Sequence, residues 1–258
     1  MIYIIGFIIV IATLFYLLYA LTTKRINHID KVNKELISNV AHELKTPMTS
    51  ILGFVETLQA GAIEKPEKAK YFMDIIASEC GRLSEIIEST LELSRLENLK
   101  EDNNKTHFIF EDCLADTINV MTHFADEQEI KIRSSYDSAE TTRVYANKVR
   151  IKQVLTNLFS NAIKYNNKGG RVDVSVKHQG RFLVVSVFNT GAGVDPDQLK
   201  RLFDRFYRAD DGRTRKVGGT GLGLAIVKKI VALYGGKIYA NSQISHGTTF
   251  TVYLPILA

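Results

Sequence analysis

The hydrophobic rhythm of the chain changes twice, and each change marks a different kind of structure. Ile2 to Leu21 (IYIIGFIIVIATLFYLLYAL) carry no charge. At roughly 1.5 Å per residue such a helix is about 30 Å long, enough to cross a hydrocarbon core. A buried core helix would show a polar stripe, and Thr13 is only a weak one. A cleaved leader would begin basic, have a shorter apolar run and end in a small-residue cleavage site. Here Met1 precedes the run directly and Thr22-Thr23-Lys24-Arg25 come after it. The pattern predicts a single-pass transmembrane helix over 2–21. Lys24, Arg25 and Lys31 place the chain beyond the span in the cytoplasm.

The next rhythm is helical. Ile26, Ile29, Val32, Leu36, Val40, Leu44, Ile51, Val55 and Leu58 recur mostly three or four apart. After a break at Gly61 and Pro66 a second series runs Phe72, Ile76, Leu83, Ile87, Thr90, Leu93 and Leu96. Two long amphipathic helices joined by a short turn make half of a four-helix bundle. One such hairpin has too little core to stand alone, so residues 26–97 predict a homodimer that completes the bundle. Cys80 is expected as a small core residue of the second helix. Residues 98–107 are polar and aperiodic and read as a linker.

From Phe108 the pattern becomes mixed. Residues 111–125 and 148–165 fit helices, while 171–176 and 182–188 read as strands around a turn at Gln179-Gly180. Residues 221–234 form a glycine-started helix, and 237–241 and 248–254 two further strands. This order predicts one layered α/β sandwich over 108–256.

Composition adds exclusions. With 45% hydrophobic and 24% charged residues, wholesale disorder is excluded. A net charge of +5 is no argument for nucleic acid binding. Cys80 and Cys113 form no CxxC pair and no disulfide framework.

The candidate chemistry begins at His42 in SNVAHELKTP (38–47), off the apolar seam of the first helix. Glu43 is adjacent and Pro47 is five residues on. Proline there removes the helical hydrogen bond to the Glu43 carbonyl at a cost of roughly 3 kcal/mol, which a purely structural bundle would avoid. A carboxylate beside an imidazole can hold one ring nitrogen as N–H and leave the other nucleophilic. Asn157 and Asn161 are i and i+4, so their amides share a helix face, and Lys164 and Tyr165 come directly after. Such amides can offer oxygen to magnesium and nitrogen to phosphate. In isolation the pair also fits an ordinary solvated face. Asn189-Thr190-Gly191-Ala192-Gly193 leaves the end of an apolar strand, and Gly218-Gly219-Thr220-Gly221-Leu222-Gly223 opens a helix whose free amides suit an anion. Neither is a Walker A loop or a dinucleotide GxGxxG.

The order of these boxes resembles that of sensor histidine kinases across essentially all of residues 30–256. SNVAHELKTPMTSI (38–51) is similar to the phosphoacceptor box and QVLTNLFSNAIKYN (153–166) to the N box. NTGAGV (189–194) resembles the first glycine box, LFDRFYRAD (202–210) the F box, GGTGLGLAIVKKI (218–230) the second glycine box, and SHGTTFTVYLP (245–255) the closing strand. Among subfamilies, phosphate-regulon-like sensors are the most similar. The resemblance implies a dimerisation and phosphotransfer hairpin, then an ATP-binding domain of the gyrase/Hsp90/histidine kinase/MutL (GHKL) type. It also implies a bacterial inner-membrane protein with a response regulator as partner and ATP and Mg2+ as ligands.

By the same resemblance His42 accepts the γ-phosphoryl group, Glu43 is its base or orienting carboxylate, and Thr46 orients water for dephosphorylation of the partner. Asn157 holds magnesium, with Asn161 and Lys164 at the phosphates and Tyr165 near adenine. Asn189, Gly191, Gly193, Phe206, Arg208, Gly219, Thr220, Gly221, Leu222, Gly223 and Thr248 complete the nucleotide site. A lid from Arg208 to Gly218 adds Arg213, Arg215 and Lys216. Two residues depart from the pattern: Asn189 and Asn147 stand where aspartate is common. Asn189 keeps the acceptor for the adenine amine and loses the charge. The rival readings are a pseudokinase scaffold, a phosphatase-dominated protein and a stand-alone ATPase. The first two would be marked by loss of Asn157 or the glycines and the third by loss of the hairpin, and all of these are present.

Overall fold

The helices expected on either side of Gly61 are present in a computed structural model, which describes residues 37–136, 141–209 and 219–256. Helix α1 covers residues 37–59 and α2 covers Pro66–Asn98, with a 3-10 turn at Ala62–Glu64 between them. Gly61 takes φ 105°, a conformation that favours glycine, and Pro66 starts α2 where its missing N–H breaks no helical bond. The expected span at 2–21 lies outside the described residues. Among the described residues no helix is long and apolar enough to cross a membrane.

The chain divides into two units, Met1–Glu79 and Cys80–Ala258. In the first, α1 continues through Pro47, which is buried, while Val40, Leu44, Ile51, Val55 and Leu58 are half-buried. Phe54 stacks on Phe72 with ring centroids 5.4 Å apart and ties the two helices near their turn. Met48, Leu52 and Met73 stay more than half exposed, as expected of a hairpin too thin to bury both its faces. Cys80, expected as a small core residue of the bundle, is exposed in the single chain. It lies seven residues after Met73 and seven before Ile87, both also exposed. A seven-residue repeat is the seam of a helix pair, which one chain by itself leaves uncovered.

In the second unit the elements run β1 Thr106–Ile109, α3 Phe110–Asp126, β2 Lys131–Tyr136, β3 Arg143–Ala146, α4 Lys148–Lys164, β4 Arg171–Gln179 and β5 Phe182–Asn189, then α5 Pro196–Leu199, α6 Gly223–Leu233, β6 Lys237–Gln243 and β7 Gly247–Pro255. Five strands form one sheet in the order β2-β4-β5-β7-β6, with only β2 and β4 parallel, and β1 pairs with β3 separately. Strand side chains alternate between faces. Val172, Val174, Val185, Val187, Phe250 and Val252 therefore point inward, where they share one core with Leu114 of α3, Leu155 and Phe159 of α4 and Ile230 of α6. Asn147 caps α4 by accepting from the Val149 N–H at 3.0 Å. That role needs an acceptor, not a charge.

The segment read as a linker is more than a tether. Thr106 and His107 already belong to β1, and Asp102 is buried. One Asp102 oxygen accepts from the Tyr234 hydroxyl at 2.6 Å and from Arg150 Nε at 2.9 Å, and the other accepts from the Asn104 N–H at 3.0 Å. Arg150 also donates to Glu92 of α2 at 2.9 Å. Burial would raise the Asp102 pKa, but these donors hold it below the ordinary 3.8. Its stabilisation is thus present above that value and is lost as pH falls below it. Asp102→Ala would leave three donors without their acceptor. The expected cost is about 2–4 kcal/mol, read as a lower urea midpoint of the second unit's transition. An unchanged midpoint would remove Asp102 from the stabilising contacts.

Candidate functional site

Helix α4 presents Asn157, Asn161 and Lys164 on one face, and Tyr165 ends it. Strand β5 delivers Asn189 at its last position. These meet the Gly219–Gly223 segment around a cavity of about 670 Å³, within the size range of small-molecule sites. Asn157, Asn161, Lys164, Tyr165, Asn189, Gly193, Arg208, Gly219, Thr220, Gly221, Gly223 and Thr248 all line it. Gly191, Phe206 and Leu222 do not. Leu222 is wholly buried in the core, Gly191 lies against the Tyr165 carbonyl, and the Phe206 N–H donates to the Gly221 carbonyl at 3.0 Å. These three shape the backbone behind the cavity.

Two glycines are required by close approach. Gly193 (φ 76°) would drive a Cβ into the Gln243 carbonyl, and Gly221 (φ 69°) would place one 2.8 Å from the Phe206 carbonyl carbon. The first approach is enforced by Ser242, whose hydroxyl accepts from the Val194 N–H and donates to the Gly247 carbonyl, each at 2.8 Å. The Ser245 N–H donates to the Ala192 carbonyl at 2.8 Å as well. The first glycine loop is thereby fastened to the β6–β7 turn, which the local sequence pattern does not reveal.

The cavity is cationic around Lys164. Burial, and then the neighbouring Arg208 cation, pull the Lys164 pKa down to about 8, against an opposing pull from Glu85. Arg208 Nη1 donates to the Gly219 carbonyl at 3.4 Å. A polyphosphate entering here meets cations already partly stripped of water, where their attraction is strongest. Such a ligand raises the Lys164 pKa, so binding favours the protonated amine. ATP affinity is expected to be full below about pH 8 and to fall roughly tenfold per unit above it, until the bound-state pKa is reached. Lys164→Arg keeps its charge and should give a flat profile. Calorimetric titrations of both proteins on either side of pH 8 check this, and an equal decline in Lys164→Arg would place the proton elsewhere.

Asn189 is buried, and its Nδ2 donates to the Tyr165 carbonyl at 3.5 Å. The side chain lines the cavity, and its Oδ1 remains able to accept a hydrogen bond. Asn189→Ala is expected to weaken ATP binding about five- to tenfold, the size of roughly 1 kcal/mol or more for a lost buried acceptor. Asn189→Asp exchanges the long bond to Tyr165 for a charge while keeping an acceptor oxygen, and should keep or tighten ATP affinity. Equal affinities for all three proteins would show that this side chain does not read the base.

The carboxamides of Asn157 and Asn161 carry no hydrogen bond among the described residues. An unpaired carboxamide oxygen fits magnesium, which takes one or two protein oxygens and completes its shell with phosphate and water. No cluster of three or more acidic, histidine or cysteine ligands occurs among the described residues.

His42, Glu43 and Thr46 lie on α1 in the first unit, and His42 is exposed. The Thr46 hydroxyl donates to the His42 carbonyl at 3.4 Å. Arg213, Arg215 and Lys216 lie outside the described residues. Sequence reasoning missed Glu85 and Asp197, which line the cavity from α2 and α5. Neither belongs to a local pattern, since each reaches the cavity only through the packing of the whole second unit.

A helical hairpin with an exposed histidine, together with an α/β sandwich holding an amide-lined cavity, defines a class: a phosphoacceptor domain joined to a nucleotide-binding domain. Residues 32–99 match the His Kinase A (phospho-acceptor) domain, and 146–258 match the histidine kinase-, DNA gyrase B-, and HSP90-like ATPase family. The sensor histidine kinase WalK of Bacillus subtilis (strain 168) is 35% identical over 228 residues, which is 88% of this chain and 37% of that protein. The solved complex of histidine kinase ThkA with response regulator TrrA matches with TM-score 0.71 and 27% identity, over 86% of this chain and 61% of that one. Full-length ShkA in complex with AMPPNP matches with TM-score 0.65 and 26% identity, over 87% of this chain and 46% of that one. The chain belongs to the sensor histidine kinase family. It spans little more than a third of the length of WalK.

Proposed function

We propose that the chain is an ATP-dependent protein-histidine kinase that phosphorylates His42 and passes the phosphoryl group to a response regulator. The observation that carries this reading is the convergence of Asn157, Asn161, Lys164, Asn189 and the second glycine segment on one cavity, in a chain that also exposes His42 beside Glu43. A ring nitrogen of His42 attacks the γ-phosphorus while the bond to the β,γ-bridging oxygen breaks, and ADP leaves. Glu43 holds the other ring nitrogen as N–H and balances the charge that develops on the imidazole. Asn157 and Asn161 orient the polyphosphate, and Lys164 and Arg208 neutralise its charge. Magnesium held by Asn157 would supply further neutralisation of the phosphates. In the second step the P–N bond breaks as an aspartate carboxylate of the regulator takes the phosphoryl group. The complex of ThkA with TrrA supports this partner class, and that of ShkA with AMPPNP supports the nucleotide.

Dephosphorylation of the regulator is assigned to the same surface. The Thr46 hydroxyl, donating to the His42 carbonyl, keeps its lone pairs free to accept from a water one helical turn from His42. The uncovered apolar side chains Met48, Leu52, Met73 and Ile87 support a homodimer, and the uncharged run at 2–21 supports a single-pass anchor in the bacterial inner membrane with the catalytic parts in the cytoplasm. Incubation with γ-labelled ATP and Mg2+ tests the activity: wild type should incorporate label and His42→Ala should not. Absence of label in a wild-type protein that binds ATP would favour the pseudokinase scaffold.

A further inference from the structure

The helices of the second unit cover one face of the five-stranded sheet and leave the other open. The strand register places Phe182 and Val184 of β5, Tyr253 of β7 and Tyr239 of β6 on that open face. Tyr253 meets the Phe182 and Tyr239 rings edge-on at 6.2 and 5.7 Å, and Tyr239 remains 55% exposed. Cations flank this aromatic cluster and extend beyond it along the strands. Lys131, Arg133 and Arg171 stand toward one end of the face, and Lys177, Arg181 and Lys237 toward the other, all exposed. The Arg181 guanidinium lies over the Phe182 ring at 5.3 Å. Among the described residues of these strands on this face the one carboxylate is Asp173, held by Arg171 at 2.8 Å.

We propose that this open sheet face docks on the anionic head groups of a lipid bilayer. Cations at both ends of the face, one set level with the aromatic cluster and the other beyond it, match a laterally uniform negative surface, whereas a single acidic protein group would satisfy only one end. Tyrosine rings settle at the level of lipid head groups because one end is apolar and the other polar. Basic side chains near such a surface gain from its negative potential. The docking rests on the proposed anchor at 2–21, which tethers the second unit to a bilayer through the chain and so raises its effective concentration there.

The chain contains no tryptophan, so Tyr239→Trp makes position 239 the sole indole emitter. The variant of residues 1–258 is reconstituted in phosphatidylcholine vesicles, with or without phosphatidylglycerol, carrying a head-group spin label as quencher. The quenched fraction should be roughly tenfold higher on anionic vesicles, since several near-surface cations act together. High salt should reduce it. Adding Lys177→Glu, Arg181→Glu and Lys237→Glu should return it to the neutral-vesicle level while ATP binding persists, because these residues lie outside the cavity and ATP binding reports the fold. Equal quenching in both vesicles, or quenching indifferent to the charge reversals, overturns the proposal. So does a blue-shifted but unquenched indole, which would mean a protein covers the face. Flotation with neutral vesicles reports on the anchor separately. If the chain does not float, the anchor fails, and anionic vesicles added to the same protein still test the face.

Discussion

A His42→Gln protein is expected to bind ATP like wild type and to incorporate no phosphoryl group. Every side chain and loop that lines the nucleotide cavity belongs to the second unit, from Glu85 onward, whereas His42 belongs to α1. Glutamine keeps a good helix former at an exposed position, so α1 should lose no stability. It offers no nitrogen lone pair for attack on phosphorus, so the loss should be complete. Wild-type label should also behave as a phosphoramidate, lost in acid and retained in base. Label on the His42→Gln protein would move the nucleophile to another residue and with it the functional reading.

Thr46→Ala should separate the two activities proposed for the His42 surface. Autophosphorylation needs the imidazole, its carboxylate neighbour and the nucleotide, but no ordered water. Attack on an aspartyl phosphate needs a water held in line, and the Thr46 hydroxyl lies one turn from His42 to hold it. The variant is expected to label His42 within a few-fold of wild type and to dephosphorylate the regulator roughly 10²-fold more slowly, the lower range for a positioned group. The competing explanation is that Thr46 supports the helix beside Pro47. Thr46 is exposed, its bond to the His42 carbonyl is long at 3.4 Å, and Pro47 is itself buried. Alanine should therefore leave the melting temperature level or slightly higher. A joint fall of both rates with the melting temperature would assign Thr46 to the helix instead. Unchanged dephosphorylation would assign the water to a different group.

Short-range periodicity and motif order encode much of this fold. The helical hairpin, α3, α4, α6 and the strands β4 to β7 arise from three- and two-residue rhythms, and the cavity arises from boxes whose residues lie on those same elements. Helix and strand patterns depend on neighbours within a few positions, so they survive without the rest of the chain. The tertiary structure decided what depends on distant partners. Strand β2 (KIRSSY) has almost no buried face and became a strand by pairing with β4, some forty residues on. Asp102 read as a solvated linker residue until Arg150 and Tyr234 surrounded it. Cys80 read as core because its own helix is amphipathic, yet only a second helix pair would cover its face. Gly191, Phe206 and Leu222 sit inside the right boxes but behind the cavity wall, because a motif specifies which backbone is present and only packing specifies which side of it meets the ligand.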